Sequence, residues 1–164
     1  MELAVKEKLI RLEVPEGFQL VLGQSHFIKT VEDLYETLAT SAPQVRFGVA
    51  FCEASGKALV RFDGTDPEAI GLARDFAAAL GAGHAFVVVL KGAFPINVLN
   101  RIKAVEEVVA IYCATSNNVT VVLAEEGGGR GVMGVVDGVS PKGVEKDEDK
   151  AERRDFLRKI GYKR

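Results

Sequence analysis

Asp66-Pro67-Glu68-Ala69-Ile70-Gly71-Leu72-Ala73-Arg74-Asp75-Phe76-Ala77-Ala78-Ala79-Leu80-Gly81-Ala82-Gly83-His84-Ala85-Phe86-Val87-Val88-Val89-Leu90 reads as a helix, a glycine bend and a covered strand in succession. Asp66 can accept orphan amides and Pro67 is tolerated at the first helical position, so a helix starts there. Ile70, Ala73, Ala77 and Leu80 recur at helical spacing, and Gly81 suits the left-handed residue that follows a helix C-terminus. The run from Ala85 to Leu90 lacks polar alternation, as expected of a strand covered on both faces.

Working outward, Leu3 to Val14 and Phe18 to Leu22 read as strands separated by the turn signal Pro15-Glu16-Gly17. A helix is expected from Thr30, with Thr30 capping the amides of Val31 to Asp33, and Pro43 lies past its end. Phe47–Glu53 and Lys57–Phe62 suggest a hairpin across Ala54-Ser55-Gly56. Pro95 opens another short helix. Val108–Ala114, Val119–Ala124 and Val132–Val136 are further strands, Gly127–Gly131 is too rich in glycine for regular structure, and a last helix spans Asp149–Ile160. These elements imply one domain over residues 1–164. The fold class is α/β, with α+β as the variant: a layered sandwich of a mixed β-sheet and flanking helices.

The 164 residues are enough to bury a core without disulfide or metal staples. A formal charge of −2 gives no basic field, so nucleic acid is not expected as a partner. No apolar run reaches membrane-spanning length, and the N-terminal Met1–Lys8 mixes charged with apolar residues, so the expected setting is cytoplasmic with no membrane partner. Cys52 and Cys113 stand far apart in apolar runs and read as small buried hydrophobes, with no metal assigned to them.

His84, one of only two histidines, stands on the glycine bend. Gly81 and Gly83 leave room beside its ring for a phosphate-sized group, and a neutral imidazole, with its ordinary pKa of about 6.5, is a competent nucleophile. A histidine satisfied at a helix-to-strand junction explains the same pattern. His26 precedes the Thr30 helix, whose amide end attracts anions, and Lys29 adds charge there; a local capping role is the alternative. Gly129-Arg130-Gly131-Val132-Met133-Gly134 matches G-x-G-x-x-G in form, but it runs into a strand instead of opening a helix, so it is no dinucleotide fingerprint. Arg130 with Gly129 and Gly131 can still surround a phosphate, or the segment is a mobile hairpin tip. Glu53 and Asp137 end strand-like runs beside small residues, where site residues often gather, and turn chemistry explains Asp137 about as well; Asn97 and Asn100 carry groups able to read a base or ribose, though asparagine in loops usually serves the backbone.

Several whole segments together resemble the archaeal and bacterial adenosine-specific kinases: Gly23–Asp33, Phe47–Gly56, Gly81–His84, Pro95–Asn100, Cys113–Thr115, Gly129–Gly131, Gly134–Gly138 and Leu157–Lys163. The resemblance covers essentially the whole chain. One departure is Ser116-Asn117-Asn118, where the family's form resembles Ala-Asn-Pro. The resemblance implies a domain that binds adenosine or AMP and a histidine able to hold a phosphoryl group. It leads to the expectation of transfer to the 5′-hydroxyl of adenosine through a phosphohistidine, carried first by His84 and second by His26. Lys29, Arg130, Gly83, Gly129 and Gly131 are expected to hold phosphate, and Glu53, Asn97, Asn100 and Asp137 to serve the nucleoside. Mg2+ would accompany a nucleoside triphosphate donor, although no ligand set in the sequence demands it and no residue specifies the donor. A homo-oligomer is expected. The alternative is a non-catalytic AMP- or adenosine-binding sensor or storage module.

Overall fold

A computed structural model describes residues 3–164; the first two residues of the expected domain lie outside it. Five strands make the larger sheet in the order β4-β3-β5-β2-β6: β2 (Phe18–Ser25), β3 (Arg46–Cys52), β4 (Val60–Gly64), β5 (Ala85–Lys91) and β6 (Val108–Thr115). The smaller sheet has the order β1-β7-β8, from β1 (Lys6–Leu12), β7 (Val119–Glu126) and β8 (Gly129–Asp137). Every pairing is antiparallel, so the layered α/β sandwich holds but the expected mixed sheet is corrected. Hairpins and helix-borne reversals return each strand antiparallel to its neighbour, where a mixed sheet would need a parallel crossover.

β5 lies at the centre, and its alternate residues face two cores. Ala85, Val87 and Val89 point to the core beneath α2 (Pro67–Leu80) and the smaller sheet. Phe86, Val88 and Leu90 point to the core beneath α1 (Thr30–Ala39) and α3 (Pro95–Lys103). The uninterrupted apolar run that marked β5 in the sequence follows from this double burial. Ala69, Ala73, Ala77 and Leu80 seat α2. Gly48 is required there, because a Cβ on it would stand 2.2 Å from the Ala69 carbonyl oxygen.

Local signals succeeded where one residue had one job. Asp66 caps α2 by accepting from the Ala69 amide at 3.0 Å, and Gly81 takes the left-handed φ of 54° at its other end. Thr30 departs from expectation. It is the first helical residue, buried, and its hydroxyl lies 2.6 Å from both Ser25 Oγ and the Phe27 carbonyl, so it ties α1 to the end of β2 instead of capping. The glycine segment is also tighter than expected: only Gly127-Gly128 forms the turn, while Gly129, Arg130 and Gly131 already pair in β8 with Glu126, Glu125 and Ala124. Among the described residues no helix is long and apolar enough to cross a membrane.

Candidate active site

Three strand ends meet at His84. Its amide donates to the Cys52 carbonyl at the end of β3 (2.8 Å), and its carbonyl accepts from the Ser25 amide at the end of β2 (3.0 Å). These bonds hold His84 at φ 65°, a left-handed conformation that costs a residue with a Cβ free energy on the order of 1–2 kcal/mol. The half-buried imidazole stacks on Phe51, with ring centroids 5.9 Å apart and planes 20° apart. Phe51 belongs to the core beneath α1, so the ring sits on that side of the sheet. Stacking occupies one face of the ring.

On the α2 side a cleft of about 550 Å3 opens beside the bend, lined by Glu53, Leu59, Gly81, Gly83, Gly129 and Arg130. The hairpin turn of β7 and β8 brings Arg130 across to the end of α2. There Nε donates to Glu125 at 2.6 Å and Nη1 to the Ala79 and Leu80 carbonyls at 3.3 and 3.0 Å. A helix C-terminus repels anions, and Arg130 offsets that partial negative charge at the cleft wall. The same guanidinium holds the Glu125 carboxyl below its usual range.

Glu53 belongs to the same end. Its Oε2 accepts from the Leu59 amide at 2.8 Å and its Oε1 from Arg61 Nη2 at 3.2 Å. The amide bond first, and Arg61 second, depress its pKa, so it is a carboxylate at neutral pH. Arg61 was not legible as a site residue; the signal was the hairpin register, which sets it opposite Phe51.

His26, exposed, is the residue after Ser25, and its amide donates to the Glu107 carbonyl at 3.1 Å. The two histidines therefore flank the same Ser25–His84 backbone junction. Lys29 is near His26 along the chain but its ammonium turns away, 2.5 Å from Asp33 Oδ2 and 3.9 Å from Glu106. It lines a separate groove of about 400 Å3 between α1 and α3, and the hydrogen bond to Asp33 raises its pKa. The fold does not bring Lys29 together with Arg130.

The remaining candidates lie elsewhere. Asp137 is seven residues along β8 from Arg130, roughly 23 Å away at strand rise. Its Oδ1 accepts from Thr115 Oγ1 (2.8 Å) and Asn117 Nδ2 (3.1 Å). Asn97 follows the far end of β5 and spends its Oδ1 on the Phe94 amide that opens α3, at 2.9 Å. Asn100 is exposed on α3, on the far side of the α1–α3 core from the cleft, and Gly131 is paired within β8. Cys52 is buried, Cys113 half-buried, and burial pushes both thiols up to about 11, which leaves them unreactive at neutral pH. Among the described residues no three His, Cys, Asp or Glu side chains are grouped to hold a metal ion.

No functionally curated protein matches the chain. Among solved structures it is similar to the crystal structure of the PH1918 protein from Pyrococcus horikoshii OT3, at 46% identity and a TM-score of 0.94, covering 98% of this chain and 99% of that one. The family model described as adenosine specific kinase matches residues 10–163, from within β1 to the penultimate residue. Because that match spans nearly the whole length, the chain belongs to the adenosine-specific kinase family.

Proposed function

We propose that the protein phosphorylates adenosine to AMP in two displacements at His84. In the first, an imidazole nitrogen attacks the donor's terminal phosphorus, the bond to the leaving oxygen breaks and a phosphohistidine forms. In the second, the adenosine 5′-hydroxyl attacks that phosphorus, the N–P bond breaks and the hydroxyl proton is released. Splitting the transfer leaves positioning and charge neutralisation as the main tasks of the surrounding groups. Arg130, with Gly83 and Gly129 on the cleft wall, is the anion-holding part. Glu53, ionised and fixed by Leu59 and Arg61, is the acceptor available for a ribose hydroxyl or an imidazole N–H. Lys29 and Asp137, each engaged elsewhere, drop out of the central roles. No step is routed through Mg2+, since no ligand cluster for a metal stands among the described residues, and Mg2+ enters this reading as a companion of a nucleoside triphosphate donor.

The observation that carries the reading is His84 held by two strand ends in a left-handed conformation, on a bend whose Gly81 and Gly83 line a cleft with Arg130. Strain maintained by its surroundings is common at functional sites. Incubation with γ-labelled ATP and adenosine should yield labelled AMP, with acid-labile, base-stable label on the protein that is lost in His84→Asn and kept in His26→Asn. AMP binding without any label reaching adenosine would leave the sensor or storage module in its place.

A further inference from the structure

The imidazole of His84 and the guanidinium of Arg130 stand on different sides of the larger sheet: the ring stacks on Phe51 over the core beneath α1, whereas Arg130 binds carbonyls at the end of α2. A phosphoryl group bonded to that ring starts on the α1 side. Its charge calls for a cation there.

Strand register identifies one. Antiparallel pairing sets Phe51 opposite Phe86 on β5 and opposite Arg61 on β4. Two residues further, the same frame puts Glu53 between His84 and Leu59. Two backbone bonds hold it there: the His84 amide donates to the Cys52 carbonyl at 2.8 Å, and the Glu53 amide to the Leu59 carbonyl at 3.1 Å. Residues opposite one another share a face, so Arg61 leaves the sheet on the side of Phe51. The groove it lines with Ile28 and Val31 lies on that side. Phe62, the next residue of β4, points the other way and meets Arg74 of α2, whose guanidinium carbon is 5.9 Å from the ring centroid. Arg61 is also free to take an anion. Lys29, at the start of α1, is committed to Asp33. Among the N–H groups of Arg61 only Nη2 has an acceptor, Glu53 Oε1 at 3.2 Å, while Nε is buried with no partner among the described residues. A guanidinium with an unmet buried N–H gains when an oxyanion supplies an acceptor.

We infer that Arg61 holds the phosphoryl group while His84 carries it, a role that rests on the two-displacement reading above. As the N–P bond forms and the bond to the donor's leaving oxygen breaks, Arg61 keeps its protons and donates hydrogen bonds to the phosphoryl oxygens. Glu53 anchors it at Nη2. The same contact steadies the phosphoimidazole until the adenosine 5′-hydroxyl displaces the ring, and Arg130, on the α2 side, serves the anion bound in the cleft.

In a His26→Asn chain His84 is the one histidine left, and phosphoramidate, a small-molecule phosphoryl donor, labels it without any enzymatic step. By phosphorus NMR the phosphoryl group should titrate at lower pH with Arg61 in place than in Arg61→Gln, because a neighbouring cation favours its dianion. With γ-labelled ATP and adenosine, Arg61→Gln should lose about 10²-fold in kcat with KM for adenosine little changed, and Arg61→Lys, which keeps the charge without the fork, should fall between. Added guanidinium ion should restore part of the turnover of Arg61→Ala, which a folding defect would not allow. Identical phosphoryl titrations, or wild-type kcat in a folded Arg61→Gln chain, would overturn the role of Arg61 and leave phosphohistidine catalysis standing. Full label and turnover in His84→Asn would overturn that catalysis and this role together.

Discussion

The two ends of the larger sheet carry similar residues to opposite effect. At the Asp137 end the polar groups satisfy one another: Asp137 holds Thr115 and Asn117, Asn118 Oδ1 accepts from the Val14 amide at 2.8 Å, and Asn97 opens α3. At the His84 end a histidine is held in a strained backbone, and the bend before it lines a cleft with Arg130 and the ionised Glu53, which have protein partners of their own. Polar side chains have partners at both ends, and what distinguishes the His84 end is the cavity they face, not residue type. The departure Ser116-Asn117-Asn118 fits this contrast: side-chain and backbone bonds hold the turn in place of the family's proline.

The largest effect that would break the contrast is at His84. His84→Asn keeps a residue tolerant of positive φ, yet adenosine phosphorylation should fall at least about 10³-fold, the scale of removing a nucleophile; turnover near wild type by labelled-AMP assay would place the chemistry elsewhere. Next is Arg130→Lys, which retains charge but loses the planar fork, and kcat/KM for adenosine should drop about 10- to 100-fold. At the other end, Asp137→Ala should cost about 1 kcal/mol in denaturant unfolding and leave kcat/KM unchanged. A kinetic defect there would erase the distinction between the two ends.

The smallest effect sharpens it. Glu107, only 2% exposed and with Oε1 lacking a hydrogen-bond partner among the described residues, has its pKa raised, first by burial and further by Asp33. A raised folded pKa favours the protonated form, so the carboxyl suits the fold below about pH 4.3 and burdens it as pH rises through the folded value. Glu107→Gln should therefore melt higher than wild type at pH 7, with the gain vanishing toward pH 4. An equal shift at both pH values would show that packing, not ionisation, is responsible.

Much of this was legible along the chain. Asp66, Pro67 and Gly81 delimit α2 because a cap, a fixed φ and a left-handed φ are properties of single residues. The β5 run was equally clear, since burial on both faces removes every polar residue from it. Thr30 was misjudged because a hydroxyl can cap its own helix or bind a neighbouring strand, and only the position of Ser25 decides. Mixed versus antiparallel pairing was illegible for the same reason: strand period reports which faces are buried, not which way the neighbour runs.

For the site, the sequence by itself determined the histidine on its glycine bend, the arginine in its glycine-flanked strand and, through whole-segment likeness, the family. Those are local chemistry and local order. Tertiary structure alone decided that Arg130 reaches the end of α2, that Glu53 is fixed by Leu59 and Arg61, and that His26 shares a backbone junction with His84. It likewise decided that Lys29 and Asp137 are turned to other partners. Residues fifty positions apart meet only once strand order and register are set, and hydrogen-bonding capacity counts as free only when every neighbour has been placed.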